Sequence, residues 1–282
     1  INLNKFHPSL LCKVPNKVKF LKYKNLSEEI NKKIDLIVIA VSSKGIDWVS
    51  LELVKLLKKN IPILILTKGL ALYKNKFEVL SEKMKRILSK RLSKKVNISV
   101  AGGPCLAKSL ANRIHTFVIF ANTNIKFVKK LANLVSTNYY HVFTSNDVLG
   151  VQVCAAIKNI FSMVIGSSVG LCKINSSEEV KKKNYLNTAA GLVQQSVVEM
   201  QNFTLRLKGK KETVLGLAGI GDLYVSAAGG RNSKMGEYLG HGLSFREAKK
   251  RKMPNDTVEG ADLAKDIGPK ILKEFKAKSV PL

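Results

Sequence analysis

Arginine, acidic residues and aromatic residues are all scarce in this chain, and each shortage weakens one class of function. Only seven of its 48 basic residues are arginine, the side chain best suited to bidentate contacts with phosphate and guanine. Aromatic residues make up 7% of 282 positions, with a single Trp, so stacking platforms for nucleic-acid bases are missing. The 20 acidic residues leave a formal net charge of +28, but the lysines are dispersed over the first 130 residues and in short runs such as Lys181-Lys182-Lys183 and Lys249-Lys250-Arg251-Lys252. This pattern disfavours a nucleic-acid partner, while a basic surface still attracts small phosphorylated molecules.

Other absences narrow the field further. Cys12, Cys105, Cys154 and Cys172 are far apart, with no CxxC, and none of the four histidines has a metal-ligand partner at useful spacing. Neither a zinc site nor a disulfide framework is indicated, which fits a reducing cytosol. No hydrolytic triad is legible. The chain begins at Ile1 rather than Met, and both ends read as cut, so no signal peptide can be read.

What is present reads as two domains, and 45% hydrophobic content suffices for two cores. In the first half, apolar runs at Val18–Tyr23, Asp35–Val41, Pro62–Thr67, Val96–Ala101, His115–Ala121 and His141–Thr144 have strand character. Between them Ser27–Lys33, Ile46–Lys58, Lys76–Leu92 and Lys126–Ser136 carry helical spacing. Such alternation predicts an α/β fold with a doubly wound parallel, Rossmann-like sheet whose ligands bind beyond the carboxyl ends of the strands. After about Asn146 the pattern is helical: Val148–Ser168, Ser177–Lys183, Tyr185–Leu205, Ser233–Leu239, Ser244–Lys250 and Gly260–Phe275. The expectation is a truncated dinucleotide-binding domain over 1–145 and an all-helical substrate domain over 146–282.

Lys158 is the only charged residue between Val148 and Cys172. Helical spacing surrounds it with Cys154, Ala155, Phe161 and Ser162, a small and largely apolar face that strips water from the ammonium. Desolvation lowers a lysine's pKa and suits it to proton transfer near neutrality. A structural ion pair is the competing reading. The run is long enough to span a bilayer, but a mid-membrane lysine costs roughly 2.5–3.5 kcal/mol on insertion scales, and Gly150, Gly166 and Gly170 weaken the signal. Stable membrane insertion is not expected.

Five glycines fall within Gly216–Gly230, in GLAGIGDLYVSAAGG, followed by Arg231-Asn232 and a predicted helix from Ser233. Glycines admit a ligand close to backbone amides, and a helix start presents unpaired amides to an anion. With Arg231 beside them the segment reads either as a phosphate clamp or as a loop with a surface arginine. Asp222 is a candidate for capping a helix or holding a catalytic lysine. Lys68 follows a strand, where a doubly wound sheet places its site, and Ala101-Gly102-Gly103-Pro104 follows another.

AGGPCLA, GVQVCAAIKN and GLAGIGDL…GGRN, in this order, with NTAAGLVQQSVVEM and TVEG between and after them, resemble the NAD(P)-dependent glycerol-3-phosphate dehydrogenases. The resemblance runs from about Asp35 to the end. It implies an oxidoreductase interconverting dihydroxyacetone phosphate and sn-glycerol 3-phosphate with NAD or NADP, cytoplasmic, homodimeric and supplying phospholipid synthesis. It assigns catalysis to Lys158, as proton donor, and to Asp222, which orients it. Substrate contacts fall to Lys68, Gly103, Cys105, Asp222, Gly230, Arg231 and Asn232, and cofactor contacts to Lys68, Ala107, Arg231 and Glu259; no metal is implied. Cys105 stands where the family has Ser or Thr, Gln195-Ser196 replaces an Arg-Gly pair, and Val169 replaces an aspartate. The glycine-rich dinucleotide turn is missing, as is the extreme C-terminus. A 3-hydroxyacid dehydrogenase-like reductase of the same build is the nearest enzymatic alternative, and a lysine-rich nucleic-acid-binding protein the alternative from another class.

Overall fold

The computed structural model describes residues 5–30, 32, 34–57, 60–89, 96–175 and 185–282. It divides into two compact units, one of Ile1–Thr67, Ser81–Ala101 and Cys105–Asn146, the other of Lys68–Leu80, Gly102–Pro104 and Asp147–Leu282. The expected helix Ser177–Lys183 lies outside the described residues.

The first unit opens with a two-stranded antiparallel ribbon, β1 (Phe6–His7) and β2 (Cys12–Lys13), and a short helix α1 (Leu26–Ile30). The expected strand Val18–Tyr23 is instead irregular chain entering a 3₁₀ turn at Tyr23–Asn25. No neighbouring strand pairs with it among the described residues, so its apolar residues have no ladder to join. Next come β3 (Ile37–Ile39), α2 (Ile46–Leu56) and β4 (Ile63–Ile65). Then β5 (Leu70–Tyr73) and β6 (Lys76–Val79) precede α3 (Leu80–Leu88), β7 (Ile98–Gly102), α4 (Ala107–Ala111), β8 (Thr116–Ala121), α5 (Ile125–Val135) and β9 (Tyr140–Ser145).

One five-stranded sheet runs in the order β3-β4-β7-β8-β9, with β3, β4 and β7 parallel and β8 parallel to β9. The Asn122 amide, just past the end of β8, donates to the Asn97 side chain at 2.7 Å and the Ile98 carbonyl at 3.1 Å, at the start of β7. Those two strands therefore run in opposite directions, and the Rossmann-like sheet is mixed. All of β4 is buried, as expected of a central strand covered on both faces. The period-2 pattern of β8 turns Val118 and Phe120 inward onto Leu64 of the sheet and Val128 and Leu131 of α5, while Phe117 faces out.

In the second unit β5 and β6 form an antiparallel hairpin. Its turn residues Lys74 (φ 47°) and Asn75 (φ 59°) both take the left-handed conformation that matches the twist of a tight hairpin. The predicted helix over Lys76–Leu92 is thus corrected: Lys76–Val79 is strand, and the helix is Leu80–Leu88. The hairpin packs on helices through Phe77, whose ring meets Phe203 edge-on at 5.1 Å and lies 5.4 Å from the Lys270 ammonium.

The helices are α6 (Val148–Asn175), α7 (Leu186–Arg206), α8 (Lys211–Leu215), a π turn at Leu217–Gly221, α9 (Asp222–Ala227), α10 (Arg231–Gly240), α11 (Phe245–Arg251) and α12 (Glu259–Glu274). The central helix α6 is long and apolar enough to cross a membrane, yet 78% of its most apolar window is buried within the protein; it is a core helix. Its Gly166 and Gly170 face Gly236 and Gly240 of α10 at backbone contact. A Cβ on Gly166 would stand 2.1 Å from the Ser233 carbonyl oxygen, and one on Gly236 only 1.8 Å from that of Met163. Neither main chain can yield, so only glycine fits.

Gly236→Ala is expected to destabilise the protein by about 2–3 kcal/mol or more through overpacking. Gly191 lies in α7 with nothing within 4 Å of a Cβ, so Gly191→Ala should stabilise by roughly 0.5–1 kcal/mol through helix propensity. Thermal melts of the two variants test the contrast, and equal melting temperatures would refute it.

Candidate active site

Two of the expected residues, Lys68 and Lys158, converge on the carboxylate of a third, Asp222. Asp222 is the first residue of α9 and only 3% exposed. Its Oδ2 accepts from Lys68 Nζ at 2.5 Å and its Oδ1 pairs with Lys158 Nζ at 3.0 Å. Two ammoniums against one carboxylate leave a net positive charge in a mostly buried setting. Such a site attracts an anion or a developing negative charge on oxygen. The Lys158 side chain is 7% exposed and that of Lys68 30%, so Lys68 is the more accessible cation.

Burial, and then the Lys68 ammonium, push the Lys158 pKa down to about 8; Asp222 and Glu259 act against that shift. The amine therefore holds its proton less tightly than a solvated lysine, the protonation behaviour that both a proton-transfer group and a buried ion pair can show. By contrast, burial drives the Cys154 thiol up to about 12, which leaves it inert.

Local sequence explains how Asp222 arrives there. After α8 the chain makes a π turn, a feature common at functional sites. A Cβ on Gly219 would stand 2.0 Å from the Val214 carbonyl oxygen, so this glycine is needed for the chain to fold back on α8 and deliver Asp222. The expectation of a glycine loop over Gly216–Gly230 is corrected in part, since Leu217–Ala227 is helical. The turn is confined to Ala228–Gly230, where Gly229 takes φ 134°. Helical geometry also brings in a residue that the sequence reading missed. Ser226 lies one turn beyond Asp222 on α9 and accepts a hydrogen bond from Lys158 Nζ. The spacing of four was visible, but it carries meaning only if the segment is helical.

A second cluster forms at the start of α10. Gly230 precedes the helix in extended conformation and Arg231 and Asn232 open it. The Arg231 guanidinium pairs with Glu259 at 2.7 Å, and the Asn232 Oδ1 accepts from the Gly260 amide at 2.8 Å. A Cβ on Gly260 would meet the Asn159 carbonyl oxygen at 2.4 Å, so α12 is held against α6 one residue from Lys158. Gly103 sits in the same unit with φ 103°, in the left-handed region. Cys105 and Ala107 belong to the sheet unit and are exposed. There Cys105 and burial raise the Tyr140 pKa to about 12, burial being the larger cause.

The residues present also suit a nicotinamide dinucleotide. Strands β3, β4 and β7 are parallel neighbours and so end at one edge of the sheet, where doubly wound folds take such ligands. Leu66 and Leu106, following β4 and β7, are exposed apolar side chains, 39% and 54%, of the kind a flat ring covers. Among the described residues no group of three or more His, Cys, Asp or Glu could hold a metal ion.

A Rossmann-like sheet and a helical unit that holds a buried lysine–aspartate pair are the build of the nicotinamide-dependent dehydrogenases. Comparison with known proteins narrows this class. Family models of the NAD-dependent glycerol-3-phosphate dehydrogenase match the chain at residues 1–128, for the N-terminus, and 147–282, for the C-terminus. The chain is 30% identical over 249 residues to the NADP(+)-dependent glycerol-3-phosphate dehydrogenase of Archaeoglobus fulgidus, covering 88% of this chain and 70% of that protein. It is 29% identical over 270 residues to glycerol-3-phosphate dehydrogenase [NAD(P)+] of Francisella tularensis subsp. novicida, covering 94% and 74%. The crystal structure of glycerol-3-phosphate dehydrogenase from Coxiella burnetii superposes with a TM-score of 0.76 at 27% identity, covering 96% of this chain and 76% of that one. The chain belongs to the NAD(P)-dependent glycerol-3-phosphate dehydrogenase family.

Lys68→Met is expected to raise the Lys158 pKa above its value of about 8, because a like charge is removed and Asp222 is left to Lys158 alone. Carbon-13 NMR titration of ε-labelled lysines reads this directly. A value that stays put or falls would contradict the coupling.

Proposed function

We propose that this protein reduces dihydroxyacetone phosphate to sn-glycerol 3-phosphate, and runs the reverse oxidation, with Lys158 as the proton donor and acceptor. The observation that carries the reading is the buried Lys158–Asp222 pair with Lys68 on the same carboxylate. The bound nicotinamide supplies or accepts the hydride at the substrate carbon. As hydride arrives, the Lys158 ammonium gives its proton to the carbonyl oxygen, becoming neutral while the oxygen becomes the secondary hydroxyl. Asp222 holds Lys158 in place, and Ser226 takes a second N–H of the ammonium and fixes its direction. Lys68, the more exposed cation, draws in the substrate and offsets negative charge on its oxygen.

The phosphate of the substrate is assigned to the start of α10. Gly230 permits close approach, the helix amides and dipole favour an anion, and Arg231 and Asn232 flank it. Arg231 already pairs with Glu259, so this carboxylate keeps the guanidinium oriented. Gly103 and Cys105 are assigned to the substrate's side of the sheet edge, and Lys68, Ala107, Arg231 and Glu259 to the dinucleotide. Cys105 offers a thiol where a hydroxyl would donate more strongly.

The same reading makes glycerol 3-phosphate for phospholipid synthesis the product of biological interest. It puts the reaction in the cytosol, whose reducing conditions suit a chain with four widely spaced cysteines and no CxxC. A homodimer completes it, and sedimentation velocity reads that directly.

Lys158→Ala should lower kcat by roughly 100-fold or more with little change in KM, while Arg231→Ala should raise KM for the phosphorylated triose with a smaller loss in kcat. Equal and mild effects from the two would refute the division of roles. In the reductive direction Lys158 must begin protonated, so kcat should fall as pH rises through about 8. Oxidation of 3-hydroxyisobutyrate without oxidation of glycerol 3-phosphate would overturn the substrate assignment.

A further inference from the structure

We infer that Asp147 is a positioning residue for the reaction, holding the helix that carries Lys158 in register with the segment that delivers Asp222. It lies outside the site, 6% exposed, and its two carboxylate oxygens serve different elements. Oδ1 accepts from the Gly150 amide at 2.9 Å, capping the start of α6. Oδ2 accepts from the Lys210 amide at 2.8 Å and the Thr213 hydroxyl at 2.6 Å, at the start of α8. One buried charge thus fastens the first turn of the lysine helix to the chain that becomes the aspartate helix.

The surrounding backbone leaves this joint no slack. A Cβ on Gly150 would stand 1.9 Å from Asp147 Oδ2, and one on Gly209 would stand 2.8 Å from the Gly150 Cα. The seam continues along α6 with Cys154 Sγ 3.8 Å from the Thr204 hydroxyl. On one side eleven residues of rigid helix, roughly 16 Å at the helical rise, lead from Asp147 to Lys158. On the other side Thr213 and Val214 lead into the π turn, where Gly219 packs on the Val214 main chain, and so to Asp222. The two arms meet again at the Lys158–Asp222 contact of 3.0 Å. A closed frame of this kind transmits a loosened corner to the opposite one. A displacement of about 1 Å at a reacting group can cost up to 100-fold in rate.

The inference rests on Lys158 as proton donor, and the test separates the two claims. Asp147→Asn keeps an oxygen for the Gly150 cap but loses the charge shared with α8, and Thr213→Val removes one α8 contact while leaving the carboxylate intact. Both should lower kcat, by about 10-fold or more for Asp147→Asn and less for Thr213→Val, with KM for dihydroxyacetone phosphate changed less than about twofold.

A purely structural role would lower the folded fraction without altering the enzyme that remains folded. The pH profile distinguishes the cases. The titratable or charged groups facing Lys158 are Lys68, Asp222 and Glu259, with Cys154 on its own helix. Loosening the Asp222 contact removes the main influence holding the ammonium's pKa up. The alkaline fall in reductive kcat should therefore move to lower pH in both variants. If kcat per folded molecule and the alkaline limb match wild type, or if kcat falls with the limb unmoved, the inference is overturned. Should Asp147→Asn not fold, Thr213→Val decides by the same readouts. Full activity in Lys158→Ala would instead overturn the underlying reading of the reaction.

Discussion

One buried carboxylate shared by two ammoniums is the interaction on which the site depends. Alone, Lys158 would be a desolvated cation inside an apolar helix, a costly arrangement; alone, Asp222 would be a buried anion with the same difficulty. Together with Lys68 they form a triad that is stable enough to exist and still carries an excess of positive charge. That excess lowers the proton affinity of the inner lysine and draws an anion toward the outer one. Stability, affinity and acidity here all come from a single set of distances.

Glycine does most of the work of bringing these charges together. In α6, α10, α12 and the π turn it allows main chains to touch, and at Gly229 it supplies a turn into α10. The lysine-rich exterior contributes little to this arrangement. The chain is 29% and 30% identical to its relatives from Francisella tularensis subsp. novicida and Archaeoglobus fulgidus, and its own helical core is set by glycines at main-chain contact.

Much of this was legible in the sequence, and the failures have physical causes. Buried strands announce themselves as apolar runs, as at Ile63–Ile65, and helices as periodic ones, as at Ile46–Leu56. Lys158 stood out because a lone charge in an apolar helix demands a reason. The hairpin at 70–79 escaped because its turn, Lys74-Asn75, lacks the glycine that usually marks one, and its second strand merges without punctuation into a helix. Over Gly216–Gly230 glycines admit either an anion clamp or a flexible loop in a sequence, whereas in the fold Leu217–Ala227 is helical and Gly219 is a contact surface against the Val214 main chain. For the same reason Ser226 remained hidden: its place beside Lys158 exists only once the segment is helical. The strand read at Val18–Tyr23 had strand-like residues but no described neighbour with which to pair, and pairing is not a local property.

The glycine seam between α6 and α10 has a consequence for motion. Because these helices touch through main-chain atoms at Gly166, Gly170, Gly236 and Gly240, neither can slide along the other without a backbone clash. Lys158 and the opening turn of α10 therefore ride on one rigid pair of helices, and any rearrangement between them is left to side chains alone.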